Sequence, residues 1–120
     1  MTIALVGTGQ MGTAVAEAAR EAGHTIGPAF DAERPLTEAA PDALGAADVA
    51  IDFSLPSLAL DHIGRYTHAD IPAVIGTTGW YDHLNRVHEQ VNAHNAALLY
   101  APNFSIGVAV LRRAVQSAAT

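Results

Sequence analysis

The feature that most constrains this chain is Gly7-Thr8-Gly9-Gln10-Met11-Gly12, which fits G-x-G-x-x-G and directly follows the apolar run Ile3-Ala4-Leu5-Val6. Between a strand and a helix, three glycines at this spacing have separate duties. Gly7 makes a tight turn, Gly9 lets backbone approach a pyrophosphate, and Gly12 lets helix and strand pack closely. The Ala-rich stretch 13–22 reads as that helix, with Gly23 as its stop. Its N-terminus brings free N–H groups and about half a positive charge to a phosphate. The segment therefore points to a dinucleotide-binding β-α-β unit, against the plainer alternative of an ordinary glycine-rich turn.

Short apolar runs alternate with helical stretches along the rest of the chain, the rhythm of a parallel sheet. The expected fold is α/β, a Rossmann-like doubly wound parallel sheet of about five strands with helices on both faces, in one domain over residues 1–120. The second strand is Thr25-Ile26-Gly27-Pro28-Ala29-Phe30, with a bulge expected at Pro28 because proline cannot donate to a ladder. Residues 32–46, with Pro35, Pro41 and Gly45, read as a surface connection with at most a short helical turn over 36–40. Val49-Ala50-Ile51-Asp52-Phe53 is the third strand, leading to a helix with Ser57 as N-cap and Leu58, Leu60 and Ile63 as its buried face. Ala73-Val74-Ile75 is the fourth. Asp82 is expected to cap the next helix, which reaches about His94 and aligns Leu84, Val87 and Val91. Ala96-Ala97-Leu98-Leu99-Tyr100 is the fifth strand, before a last helix over about 105–119.

The charged residues exclude whole classes of chemistry. All six bases are arginines, against twelve acids, and neither lysine nor cysteine occurs. That removes disulfides, thiolate metal sites, cysteine nucleophiles, Schiff bases and the G-x-x-x-x-G-K-[ST] phosphate loop. A formal charge of −6 without a basic cluster argues against nucleic acid and anionic membranes as partners. With no basic leader and no bilayer-length apolar stretch, a cytoplasmic location is expected. His24, His62, His68, His83, His88 and His94 include no i, i+4 pair, so they read as surface residues rather than a metal site.

Asp31 lies 19 positions after Gly12, at the end of the second strand. An acid there can accept hydrogen bonds from the adenosine ribose hydroxyls, or simply cap a surface turn. Arg34 is near enough in sequence to meet a 2′-phosphate, which leaves NADH and NADPH both open. Gly76-Thr77-Thr78-Gly79 and Ala101-Pro102-Asn103-Phe104 end the fourth and fifth strands. Ligands of an open parallel sheet bind outside those ends, so both segments are expected to face one crevice. Taken singly, each reads as readily as a plain loop.

Three segments together, 7–12 with Met11 at its fifth place, Gly76-Thr77-Thr78-Gly79-Trp80, and Ala101-Pro102-Asn103-Phe104-Ser105-Ile106-Gly107-Val108, resemble the 4-hydroxy-tetrahydrodipicolinate (dihydrodipicolinate) reductases; Asp52-Phe53-Ser54 adds a fourth match. The resemblance runs in order through essentially all 120 residues. It implies an oxidoreductase that reduces a cyclic intermediate of diaminopimelate and lysine biosynthesis with NADH or NADPH. By position, it implies that Gly7, Thr8, Gly9, Gln10, Met11 and Gly12 cradle the pyrophosphate and Asp31 takes the adenosine ribose. Gly76, Thr77 and Thr78, with Ala101, Pro102, Asn103 and Phe104, would line the nicotinamide half, with Phe53 and Ser54 nearby.

In that family an acid histidine and a lysine act from a second, α+β domain, which also builds a homotetramer. Nothing here resembles its His-His segment or its D-A-P-S-G-T-A. The resemblance thus implies a cofactor-binding half without catalytic residues, which meets a dicarboxylate substrate only together with the second domain. A free-standing nucleotide-binding or sensing module is the alternative, and another Rossmann oxidoreductase leaves residues 103–108 unexplained. Five strands without the family's closing elements would leave an open edge and a bare face, so self-association is expected.

Overall fold

The computed structural model describes residues 1–40, 42–77 and 79–100. Pro41, Thr78, Ala101, Pro102, Asn103, Phe104 and the expected last helix lie outside the described residues. Five strands, β1 (Thr2–Val6), β2 (Thr25–Phe30), β3 (Val49–Asp52), β4 (Ala73–Ile75) and β5 (Leu98–Tyr100), pair in parallel in the order β2-β1-β3-β4-β5. Helices α1 (Gln10–Glu21), α2 (Ala59–His68) and α3 (Leu84–Ala93) complete a doubly wound, Rossmann-like sheet.

Alternation along β1 divides the core. Ile3 and Leu5 point to α1, where they meet Val15, Ala16 and Ala19, together with Ile51 of β3. Ala4 and Val6 point the other way, into a larger cluster with Ile63 and Tyr66 of α2, Val87 of α3, and Ile75 and Trp80. Burial of β1 and β3 on both faces is what parallel pairing requires and accounts for their continuous apolar character, whereas the edge strands β2 and β5 are only partly buried. The connection after β2 crosses β1 on the α2 side without an α-helix. Its 3-10 turn Leu36–Glu38 and the side chains of Leu36 and Leu44 fill that layer instead.

The expected bulge is present. Ile3 pairs with Ile26 but Leu5 pairs with Ala29, so two steps along β1 face three along β2, with Gly27 and Pro28 between. The helix starts differ from expectation. α1 begins at Gln10, three residues early, with Gly9 as its N-cap, so Gly12 lies inside the first turn. Neither Ser57 nor Asp82 caps a helix. α2 and α3 are instead entered through the 3-10 turns Pro56–Leu58 and Tyr81–His83. There the Leu58 and His83 N–H groups donate to the Leu55 and Trp80 carbonyls at 3.0 Å, and i→i+3 bonds do what a side-chain cap would do. The buried stripe of α2 keeps only Ile63 of the expected three. It comprises Ala59, His62, Ile63, Tyr66 and Thr67, while Leu58 and Leu60 are only half-buried.

Candidate functional site

The chain leaves β1 towards β2 on one side and leaves β3 towards β4 on the other, so the loops behind β1 and β3 diverge at their carboxyl ends. In an open parallel sheet this is where a ligand crevice forms. Gly7 stands at its edge with φ +91° and donates its N–H to the Phe30 carbonyl at 2.8 Å. A Cβ on Gly7 would lie 2.8 Å from the Phe53 carbonyl group and 3.0 Å from the Ser54 nitrogen, so dihedral and neighbour both require glycine. A Cβ on Gly12 would collide with the Gly7 carbonyl oxygen, which is how closely helix and turn pack. Gly9 is the opposite case, since a Cβ there meets nothing within 4 Å among the described residues. Above it the turn is open, and the first turn of α1, which has neither a side-chain cap nor an acid, presents its free N–H groups there. Gln10 and Met11 belong to that first turn.

On the β2 side of this turn Asp31 is exposed, and its carboxylate is fixed in place. Oδ1 accepts the N–H groups of Glu33 and Arg34 at 2.9 Å each, and Oδ2 accepts the Thr8 hydroxyl at 3.0 Å. The Arg34 N–H above all, then the Thr8 hydroxyl, hold this carboxyl below the usual carboxylate range. Asp31 therefore does cap a turn, and Oδ2 still has capacity for a ligand hydroxyl. The Arg34 guanidinium lies 5.7 Å from the centre of the Phe30 ring.

On the other side, the Gly76 N–H donates to the Asp52 carbonyl at 2.8 Å, and a Cβ on Gly76 would run into the Phe53 ring. The Thr77 carbonyl accepts the Trp80 indole N–H at 2.7 Å, while the buried Thr77 hydroxyl oxygen has no hydrogen-bond partner among the described residues. Gly7, Thr8, Gly9, Asp31, Phe53, Ser54, Gly76 and Thr77 thus gather around the carboxyl ends of β1 to β4.

Three residues of this region escape sequence reasoning. Asp52, at the end of β3, is fully buried, and its side chain is bonded to Ser54, to His62 and to Tyr66. His62 is only 2% exposed, which corrects its reading as a surface histidine. The cause is its place in the inward stripe of α2, four residues before Tyr66, where both polar side chains find a carboxylate beneath them. Burial would raise the Asp52 carboxyl, but hydrogen bonds from His62, Ser54 and Tyr66 outweigh it and leave the group below its ordinary value. Burial first, then the Asp52 charge, push the Tyr66 hydroxyl well above its ordinary range and keep it a donor. The available signal was an acid closing an apolar strand together with polar residues at i, i+4 on the inward face of the next helix.

Residues 1–104 match the family model described as "Dihydrodipicolinate reductase, N-terminus". The chain is 37% identical over 110 residues to a 4-hydroxy-tetrahydrodipicolinate reductase of Christiangramia forsetii, covering 92% of this chain and 45% of that protein. It is 39% identical over 121 residues to the enzyme of the same name from Beutenbergia cavernae, covering 97% of this chain and 47% of that one. The chain spans about half the length of the curated relatives it matches. Among solved structures, a biliverdin reductase from Synechocystis, in complex with biliverdin and NADP+, superposes with a TM-score of 0.68 at 14% identity, covering 82% of this chain and 37% of that one. At that identity the likeness establishes the Rossmann fold alone.

Proposed function

The chain belongs to the dihydrodipicolinate reductase family through its N-terminal domain, and from that premise we propose that it is the nicotinamide-dinucleotide-binding half of a 4-hydroxy-tetrahydrodipicolinate reductase. The observation that carries this reading is the open space over Gly9, flanked by two glycines that the packing will not let carry a side chain. A pyrophosphate there meets backbone N–H groups and the positive end of α1, the main attraction for anions in a chain without lysine.

In this reading Gly7, Thr8, Gly9, Gln10, Met11 and Gly12 hold the pyrophosphate. Asp31 accepts an adenosine ribose hydroxyl through Oδ2, and its negative charge disfavours a 2′-phosphate, so NADH is the preferred cofactor. Phe53, Ser54, Gly76 and Thr77 form the wall towards the nicotinamide, and the buried Thr77 hydroxyl is the group there still able to take a hydrogen bond. The family resemblance assigns Thr78, Ala101, Pro102, Asn103 and Phe104, which lie outside the described residues, to the same nicotinamide half. Bound reduced nicotinamide supplies the hydride. The residues of this chain bind and orient it, and the proton for the substrate comes from elsewhere in the whole enzyme. For that enzyme we propose the cytoplasmic reduction of a cyclic dicarboxylate in diaminopimelate and lysine biosynthesis. Among the described residues no helix is long and apolar enough to cross a membrane.

A fluorescence titration with NADH tests this reading. The wild-type chain is expected to bind saturably at one site, and Gly9→Val, whose side chain enters open space, to fold normally and bind nothing. Absence of binding at millimolar NADH, or unaltered binding by Gly9→Val, would overturn it.

A further inference from the structure

Asp52 is a buried carboxylate with every acceptor position in use. Oδ1 accepts the Ser54 N–H at 2.9 Å and the Ser54 hydroxyl at 2.5 Å, and Oδ2 accepts His62 Nδ1 at 2.9 Å and the Tyr66 hydroxyl at 2.6 Å. An ionised carboxylate has room for about four hydrogen bonds, so this one is saturated and all its partners must be donors. His62 therefore carries its proton on Nδ1. The same Nδ1 is 3.1 Å from the Ser54 oxygen, whose own proton is committed to Asp52. Ser54 is thus held through its N–H, through its hydroxyl proton and, as the more distant acceptor of an Nδ1–H shared with Asp52 Oδ2, through the lone pair facing His62.

Ser54 is not an arbitrary residue to hold. The peptide joining it to Phe53 packs against Gly7, and the Phe53 ring packs against Gly76. The Phe53 N–H is bonded to the Val6 carbonyl at 2.8 Å, the last bond of the β1–β3 ladder before the crevice opens. A shift of this peptide moves the phosphate turn on one side and the β4 loop on the other.

We propose that His62, on α2, is a positioning residue for dinucleotide binding, acting through Asp52 and Ser54. The inference rests on the dinucleotide reading above and adds to it a residue outside the glycine motif. Tyr66 supplies the control, since it donates to the same carboxylate without touching Ser54. Without His62, Oδ2 keeps only the Tyr66 bond and Ser54 loses one of its three restraints, while the glycine turn itself is unaltered.

The test compares His62→Ala, His62→Asn and Tyr66→Phe in the 120-residue chain, measuring NADH affinity, thermal midpoint and the Ser54 amide resonance. His62→Ala is expected to weaken NADH about tenfold, the effect of losing one hydrogen bond to a charged group, and to shift the Ser54 amide. His62→Asn, whose side-chain amide offers a donor near the Nδ1 position, is expected to restore affinity to within about threefold. Tyr66→Phe is expected to lower the thermal midpoint as His62→Ala does, yet to leave affinity within about twofold. Unchanged NADH affinity in His62→Ala, or affinity losses that track stability equally in His62→Ala and Tyr66→Phe, would overturn the inference alone. A wild-type chain that binds no NADH would overturn the dinucleotide reading and this inference with it.

Discussion

The Thr8 hydroxyl donates a 3.0 Å hydrogen bond to Oδ2 of Asp31, joining the glycine turn behind β1 to the acid that ends β2. The bond fixes the rotamer of an exposed carboxylate at the point where an adenosine ribose would meet it. Thr8→Val keeps the shape and removes the donor. It is expected to weaken NADH by about three- to tenfold, the worth of one ordinary hydrogen bond, while Thr8→Ser binds as wild type. Parallel NADH titrations check this.

Asp31 and Arg34 sit in one turn, with opposite preferences for a 2′-phosphate. Removal of the carboxylate in Asp31→Ala leaves Arg34 unopposed, so the NADPH-to-NADH affinity ratio is expected to rise by about tenfold. Measurement of both dissociation constants in low salt checks it, because screening at high ionic strength shrinks the effect.

Asp52 makes the fold sensitive to acid. Its carboxyl is lower in the folded chain than its ordinary value, so it contributes stability that is fully present above the unfolded value. That contribution disappears as pH falls through the folded value. The thermal midpoint is therefore expected to hold from about pH 7 to 5 and to fall below about pH 4. Asp52→Asn places an amide donor against two of the four donor groups that meet this carboxylate. It is expected to cost about 3 kcal/mol near neutrality and to flatten the acid limb, as thermal melts across this range would show.

The glycines of one motif are expected to differ in kind. Gly12→Ala drives a Cβ into the backbone of Gly7, which cannot yield as a flexible side chain would, and is expected to cost about 3 kcal/mol. Gly9→Ala meets open space and is expected to leave stability within about 0.5 kcal/mol of wild type. Urea unfolding of the two variants checks the contrast.

Some of this is legible in the residues themselves. Pro28 announces an irregular edge strand, because a proline that cannot donate to the ladder is confined to edges and bulges, and β2 has both. The glycines at 7, 9 and 12 mark the crevice because each answers a steric demand visible at sequence level. Helix entry is less legible. Ser57 and Asp82 satisfy the composition of a cap, but Pro56 and the Trp80 carbonyl organise 3-10 turns that take up the opening donors. Least legible is the His62–Asp52–Tyr66 cluster. A helix reading counts His and Tyr as polar and places them outside, and only the tertiary position of the Asp52 carboxylate makes the inward face their better solvent.

The most direct measurement is a map of backbone amide shifts as NADH is titrated into the chain. The largest changes are expected at Gly7, Gly9, Gly12, Asp31, Ser54, Gly76 and Thr77, at the carboxyl ends of β1 to β4. No shifts at millimolar NADH, or shifts confined to the amino-terminal edge of the sheet, would contradict the dinucleotide reading.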